Sequence, residues 1–253
     1  MTGLGHLTDI EHLLSRQREM IKAKPLVKRC YDIWYRKLLA DMASVPSEFD
    51  GASSIELGSG GGYIKEHAPR VITSDLTPGT SDLVIDAQRL PFANESLKAI
   101  FLTHVFHHIP DVDRFLEEAA RALVPGGVIS MVECAHTPFA RLFFSVFHPE
   151  PYDTAAVDWK FTQNHSMLDS NQALSWIVFS RDIENFRIRH PRLKFENSSL
   201  LPWLSYLVSG GVNLKSLCPA WLSPSLSALD EILKPFDPLF AIHWHITIRK
   251  IPR

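Results

Sequence analysis

Four glycines in five residues, Gly58-Ser59-Gly60-Gly61-Gly62, follow directly on a β-prone run from Ser53 to Leu57. A short helix is expected next, stopping before Pro69. A strand that breaks into a glycine turn and re-forms as a helix makes a cradle for a nucleotide cofactor. The turn is tight and the ligand lies against bare backbone, where a Cβ would clash. This feature points to an α/β fold with a parallel sheet, because the cradle exists only at the carboxyl end of such a strand.

The spacing separates one cofactor class from another. A dinucleotide site has G-x-G-x-x-G, and here the last position is Tyr63. What fits is Glu-x-Gly-x-Gly-x-Gly, through Glu56, Gly58, Gly60 and Gly62. The Glu56 carboxylate stands where a pyrophosphate would lie, and like charges repel there. A ligand with a cationic end suits the place, and S-adenosylmethionine carries a sulfonium and an ammonium group. A Gly/Ser-rich surface turn is the plain alternative.

A second short strand, Arg70 to Ser74, ends in Asp75. An acid roughly 20 residues beyond the first glycine can accept from both ribose hydroxyls; a turn-capping acid is the other reading. A third strand precedes Asp86-Ala87, and Leu90-Pro91-Phe92 follows. Only Leu76 to Ser81 separate the second and third strands, whereas a parallel crossover normally takes a dozen or more residues. The intervening helix is therefore expected to be reduced, and the third strand short or displaced. Lys98 to Val105 reads as a buried parallel strand. His104-Val105-Phe106-His107-His108-Ile109-Pro110-Asp111 closes it, a helix follows, and Pro125-Gly126-Gly127 stops that helix before a strand over Val128 to Val132.

Residues 50 to 134 resemble the class I S-adenosylmethionine-dependent methyltransferases, and specifically the branch called methyltransferase type 11. The glycine motif, Leu-Pro-Phe, His-His-Ile-Pro-Asp and Pro-Gly-Gly occur in the family's order and spacing. The resemblance implies that S-adenosylmethionine is held by Glu56, Gly58, Ser59, Gly60, Gly62, Asp75, Leu76, Asp86, Ala87 and His104. Asp86 would accept from the adenine amino group, with the Ala87 amide donating to a ring nitrogen. His107 and His108 match positions that shape the site. His104 is the candidate catalytic residue, as a base towards an acceptor hydroxyl; a hydrogen-bonded strand-end histidine is the alternative.

No metal site is expected. Adjacent His107 and His108 point apart if the chain there is extended, and Cys30, Cys134 and Cys218 are too widely spaced for zinc. His243 and His245 fall on one face of a terminal strand over Ala241 to Lys250, and a rim or solvent position is expected for them. Phe186 to Phe195 is expected to be its antiparallel mate.

With 253 residues, 45% of them apolar, the whole chain is expected to form one domain. It would comprise N-terminal helices over 1–45, the cofactor core over 50–134, and helical insertions over 137–185 and 199–235. The N-terminal helices read as a solvated amphipathic face or as a lid over the cofactor. Ser170 to Ser180 is expected to be helical, and the loop His148 to Asp153 to be an acceptor-site wall or a connector. Aromatics in the second insertion would line the core, an acceptor pocket or a dimer contact. The fold class is α/β: a Rossmann-like mixed sheet, mostly parallel with a terminal antiparallel strand, and helices on both faces. A net charge of −2 lacks the basic excess of nucleic-acid binding. No apolar run is long enough to span a bilayer, and a cytoplasmic setting is expected.

The expected function is methyl transfer from S-adenosylmethionine to a small-molecule acceptor. The segments beyond Glu133 resemble relatives found with polysaccharide biosynthesis, which suggests a sugar or lipid-linked acceptor. A non-catalytic protein keeping the same fold is the rival.

Overall fold

The computed structural model describes residues 16–79, 81–162, 168–212 and 214–252. Of the N-terminal helices expected over 1–45, residues 1–15 lie outside them. Helix α1 is described over residues 16–23, and α2 runs Pro25–Ala43. Proline opens α2 at its first turn, where its missing N–H costs nothing.

Seven strands form one sheet in the order β3-β2-β1-β4-β5-β7-β6. They are β1 Ser53–Leu57, β2 Ile72–Asp75, β3 Leu83–Val84, β4 Leu97–Thr103, β5 Leu123–Cys134, β6 Leu193–Leu200 and β7 His243–Lys250. β1 to β5 pair in parallel, and β7 runs antiparallel to both β5 and β6. This is the Rossmann-like mixed sheet expected from the sequence. β3 is two residues long, and among the described residues no helix joins it to β2. The short connection noted in the sequence leaves no chain for one.

The continuous apolar runs sort by the period of the pleat. In β4, Ile100 and Leu102 enter one core with Ile55, Leu57, Ile129 and Met131. Ala99 and Phe101 enter the other, beneath Val27, Trp34 and Leu38 of α2. On the first face lies α3, Val112–Ala122, capped by the Asp111 side chain accepting from the Arg114 amide. On the second face only a 3₁₀ turn, Tyr63–Glu66, fills the β1–β2 connection. The single long helix α2 covers the sheet there instead.

Three expectations change. Phe186 to Phe195 is not one strand: α6 occupies Ile183–Arg189 before β6 begins. Phe186 and Ile188 alternate like strand residues, but Phe186 is buried against Phe179 while Ile188 stays 76% exposed. The expected helix over Ser170 to Ser180 is confined to α5, Leu174–Trp176, and a π-turn over Ile177–Arg181. His243 and His245 are buried, not at a rim. β7 lies inside the sheet between β5 and β6, and α2 crosses its face. The first insertion also carries α4, Pro138–Phe147, and the second α7, Leu204–Ser209, and α8, Ser223–Leu233.

Asp41 near the end of α2 ties that helix to the sheet. Its Oδ2 accepts from Ser130 Oγ of β5 at 2.5 Å and from His245 Nε2 and Thr247 Oγ1 of β7 at 2.8 Å each. Burial raises the Asp41 pKa, but the hydrogen bonds from His245, Ser130 and Thr247 outweigh it and hold the carboxyl below its usual value. Asp41→Ala strands these buried donors and is expected to lower unfolding free energy by roughly 2–4 kcal/mol in urea at pH 7. A depressed carboxyl stabilises above its unfolded pKa, so the gap between parent and variant should close as pH falls below about 4. Equal urea midpoints at pH 7 would contradict this role.

Candidate active site

The glycine turn after β1 has positive φ at Gly58 (62°), Gly60 (50°) and Gly62 (65°), a conformation that glycine adopts without strain. A Cβ on Gly58 would stand 2.4 Å from a Val105 methyl, so the turn after β4 presses directly on the glycine turn. Ser59 locks the elbow: its hydroxyl donates to the Glu56 carbonyl at 3.0 Å and accepts from the Ser74 amide at 3.1 Å.

Glu56 is 1% exposed. Tyr35 of α2 donates to its Oε1 at 2.7 Å, and among the described residues Oε2 has no hydrogen-bond partner. Burial pushes the Glu56 carboxyl up to about 8, against the Tyr35 hydrogen bond and with the Asp75 charge adding to the rise. Gln17 of α1 reaches over the turn, where its Oε1 accepts from the Gly61 amide at 2.8 Å. A Cβ on Gly60 would lie 2.2 Å from that same oxygen. The cavity left between Gln17, Tyr35, Glu56, Gly60 and Thr103 is about 40 Å³, room for water and not for a nucleoside.

Asp75 ends β2, with Oδ2 accepting from the Gly60 amide and Oδ1 from the Thr77 amide, both at 3.1 Å. Val84 pairs with Asp75, so Asp86 stands two residues beyond, on the same rim. Asp86 is exposed and accepts from the Gln88 amide at 2.8 Å in a local turn. Leu76 is 61% exposed beside it.

The turn after β4 is the second half of the site. His104 has φ +57°, and its Nε2 has no partner among the described residues. Its ring packs edge-on to His243 (4.6 Å) and Trp34 (5.3 Å). Burial lowers its pKa to about 4, so the imidazole is neutral at pH 7. Phe106–His108 is a 3₁₀ turn, not extended chain, and the His107 and His108 rings stand 4.4 Å apart. The premise that these neighbours diverge fails for that reason. Glu133, fully buried at the end of β5, holds the turn. Its Oε1 accepts from the Val105 and Phe106 amides (2.9 and 2.8 Å), and its Oε2 meets His107 Nδ1 at 2.6 Å. Glu150, from the His148–Asp153 loop, approaches His107 Nε2 at 3.3 Å and His108 Nε2 at 3.6 Å. Burial disfavours a charged His107, yet Glu133 and Glu150 outweigh it and raise its pKa to about 9.

The methyltransferase domain model of the type 11 branch matches residues 55–131. That stretch is similar to the class I, S-adenosylmethionine-dependent methyltransferases. The biotin biosynthesis bifunctional protein BioHC of Cellvibrio japonicus is 29% identical over 99 residues, covering 33% of this chain. The match spans 20% of that relative's length. A structure of the complex between the Haloferax volcanii Trm112 methyltransferase activator and a methyltransferase matches with TM-score 0.53 at 16% identity, over 97% of both chains. Geranyl diphosphate C-methyltransferase from Streptomyces coelicolor, solved with Mg²⁺, geranyl diphosphate and S-adenosyl-L-homocysteine, matches with TM-score 0.54 at 14% identity. That match covers 89% of this chain and 79% of the other. At such identities the shared property is the fold.

The structure gathers Glu56, Gly58, Ser59, Gly60, Gly62 and Asp75 around one elbow. Asp86, Ala87 and Leu76 lie along the neighbouring rim, and His104 lies across Val105 from Gly58. Sequence reasoning missed Gln17, Tyr35, Glu133 and Glu150. Glu133 alone left a signal, as a charge inside the apolar run Met131-Val132-Glu133-Cys134 of a buried strand.

A carboxyl whose folded pKa is raised gives stability that is complete below its unfolded pKa, near 4.5, and is lost as pH rises through about 8. Glu56→Gln is therefore expected to match the parent's unfolding free energy below about pH 4 and to exceed it at pH 9. Parallel curves for the two proteins across that range would refute the burial argument.

Proposed function

We propose that this chain transfers the methyl group of S-adenosylmethionine to a small-molecule acceptor. We favour a sugar or lipid-linked intermediate of polysaccharide assembly, the class that the segments beyond Glu133 resemble. One observation carries the reading: a buried carboxylate oxygen, Glu56 Oε2, lies unpartnered beside a glycine elbow whose amide already binds a side-chain oxygen. A buried carboxyl oxygen left without a partner is costly. A ligand bearing an ammonium and a carboxylate satisfies both ends, the first at Glu56 and the second at the Gly61 amide where Gln17 Oε1 now sits. The residues therefore fit the cofactor once α1 withdraws Gln17. Asp75 would take the ribose hydroxyls with its remaining lone pairs, and Asp86 and Ala87 the adenine edge, over Leu76.

The bound cofactor supplies an activated methyl group. The chain's own part is alignment, exclusion of water and disposal of the acceptor proton. Val105 fixes the distance between the elbow and the histidine turn. His104 is our candidate for receiving a proton from an acceptor hydroxyl, because it is neutral and its Nε2 is free of partners among the described residues. An amine acceptor needs no such group.

The Gln17 contact and the shrunken cavity favour a second reading, a protein that keeps the fold without turnover. Calorimetry separates the two. S-adenosylhomocysteine should bind in the micromolar range and NAD should give no heat. Asp75→Ala should weaken binding by about tenfold or more, and Gln17→Ala should tighten it about 3- to 10-fold by removing the competing amide. No binding to the parent or to Gln17→Ala would establish the second reading.

Glu56 should also report directly. It pairs with an ammonium only as a carboxylate, so binding at pH 7 should release most of one proton. The binding heat should then vary with buffer ionisation enthalpy in the parent and not in Glu56→Gln.

A further inference from the structure

Two imidazoles and a carboxylate converge beside the elbow: His107 Nε2, His108 Nε2 and Glu150 Oε2 all lie within 4.8 Å of one another. The oxygen stands 3.3 Å from one nitrogen and 3.6 Å from the other. Ligands bonded at about 2.0–2.1 Å in a tetrahedron stand roughly 3.3–3.4 Å apart. Two of the ligands, His107 and Glu150, also have supporting partners. Glu133 faces the other nitrogen of His107 at 2.6 Å, the carboxylate–histidine–metal arrangement that fixes tautomer and ring orientation. Gln172 Nε2 donates to Glu150 Oε2 at 3.1 Å, and Ser170 Oγ does so at 3.3 Å.

We propose that His107, His108 and Glu150 bind one divalent transition-metal ion, of the zinc, iron or cobalt type, which displaces the Nε2 proton of His107 to solvent and keeps a coordination position open to an oxygen-donor acceptor. Two nitrogens and one oxygen suit these ions better than magnesium or calcium, which take oxygen ligands. Three protein ligands with room for a fourth is the pattern of a catalytic site rather than a closed structural one. The ligand side chains grade from His107, 4% exposed, to His108, 28% exposed, so the cluster has a solvent side. The overlapping group His107, Glu133 and Cys134 does not serve. It is sealed inside the protein, and burial pushes the Cys134 thiol well above its usual pKa, so no thiolate is available.

The site is tied to the elbow through the turn after β4. His107 is two residues from Val105, whose methyl touches Gly58. An acceptor hydroxyl on the ion would lose its proton more readily and stand ready as the nucleophile. That acceptor role rests on the methyl-transfer reading; the ion site itself does not.

The test uses the full chain without an affinity tag, stripped with a chelator and titrated separately with Zn²⁺ and Co²⁺. One equivalent should bind with micromolar affinity or better, and Co²⁺ should develop visible d–d bands. His108→Ala and Glu150→Gln should each weaken uptake at least about tenfold, and Glu133→Gln about 10- to 100-fold through His107. Asp75→Ala should leave uptake unchanged. His108 and Glu150 are partly exposed, and thermal melting of their variants confirms that they remain folded. No stoichiometric uptake, or equal uptake by a folded His108→Ala/Glu150→Gln double variant, overturns the proposal. S-adenosylhomocysteine titrations of the same variants keep the two readings apart, since neither residue touches the elbow.

Discussion

Everything at the carboxyl rim of the sheet depends on how one buried carboxylate, Glu133, is satisfied. It takes two backbone amides and one imidazole from the turn after β4. A carboxylate buried at that depth persists only when hydrogen bonds and an opposite charge compensate its lost hydration. That compensation forces Val105 to His108 into a tight turn. The turn in turn sets a methyl of Val105 against Gly58, and so couples the glycine elbow to the histidines. The two halves of the site are thus held together through a packing contact that a side chain at position 58 would destroy.

A second constraint arises from what the chain lacks. The β1–β2 connection carries a 3₁₀ turn and the described residues of the β2–β3 connection carry no helix, which leaves one face of the sheet for α2 to cover. α2 meets this demand with an apolar stripe of Val27, Cys30, Trp34 and Leu38, and with Asp41 bonded across to β5 and β7. Covering the face also delivers Tyr35 to Glu56 and Trp34 to His104. The same residues therefore serve stability and site chemistry. α1 continues the cover over the elbow and places Gln17 on the Gly61 amide. The cavity left at the elbow beneath it is about 40 Å³.

The glycines and acids were legible in the sequence because each depends on local chemistry. A positive φ demands glycine, and a parallel strand delivers its last residue to the rim. The two-residue β3 followed from counting residues in its connection. The strand drawn over Phe186 to Phe195 failed because alternation over a few residues looks the same in a strand and in a short amphipathic helix. The rim position expected for His243 and His245 failed because they are covered by segments distant in the chain, His245 by Asp41 of α2 and His243 by Trp34 of α2 and Tyr206 of α7.

Taken alone, the sequence determined the glycine elbow, the acids at the strand ends and the α/β class, since these rest on backbone sterics and on the two-residue period of strands. Only the tertiary structure decided that Gln17 sits on the elbow, that Glu133 bears the histidine turn, and that His107, His108 and Glu150 meet. Those contacts join segments separated by tens of residues. Their partners are chosen by which helix covers which face, and no local spacing encodes that choice.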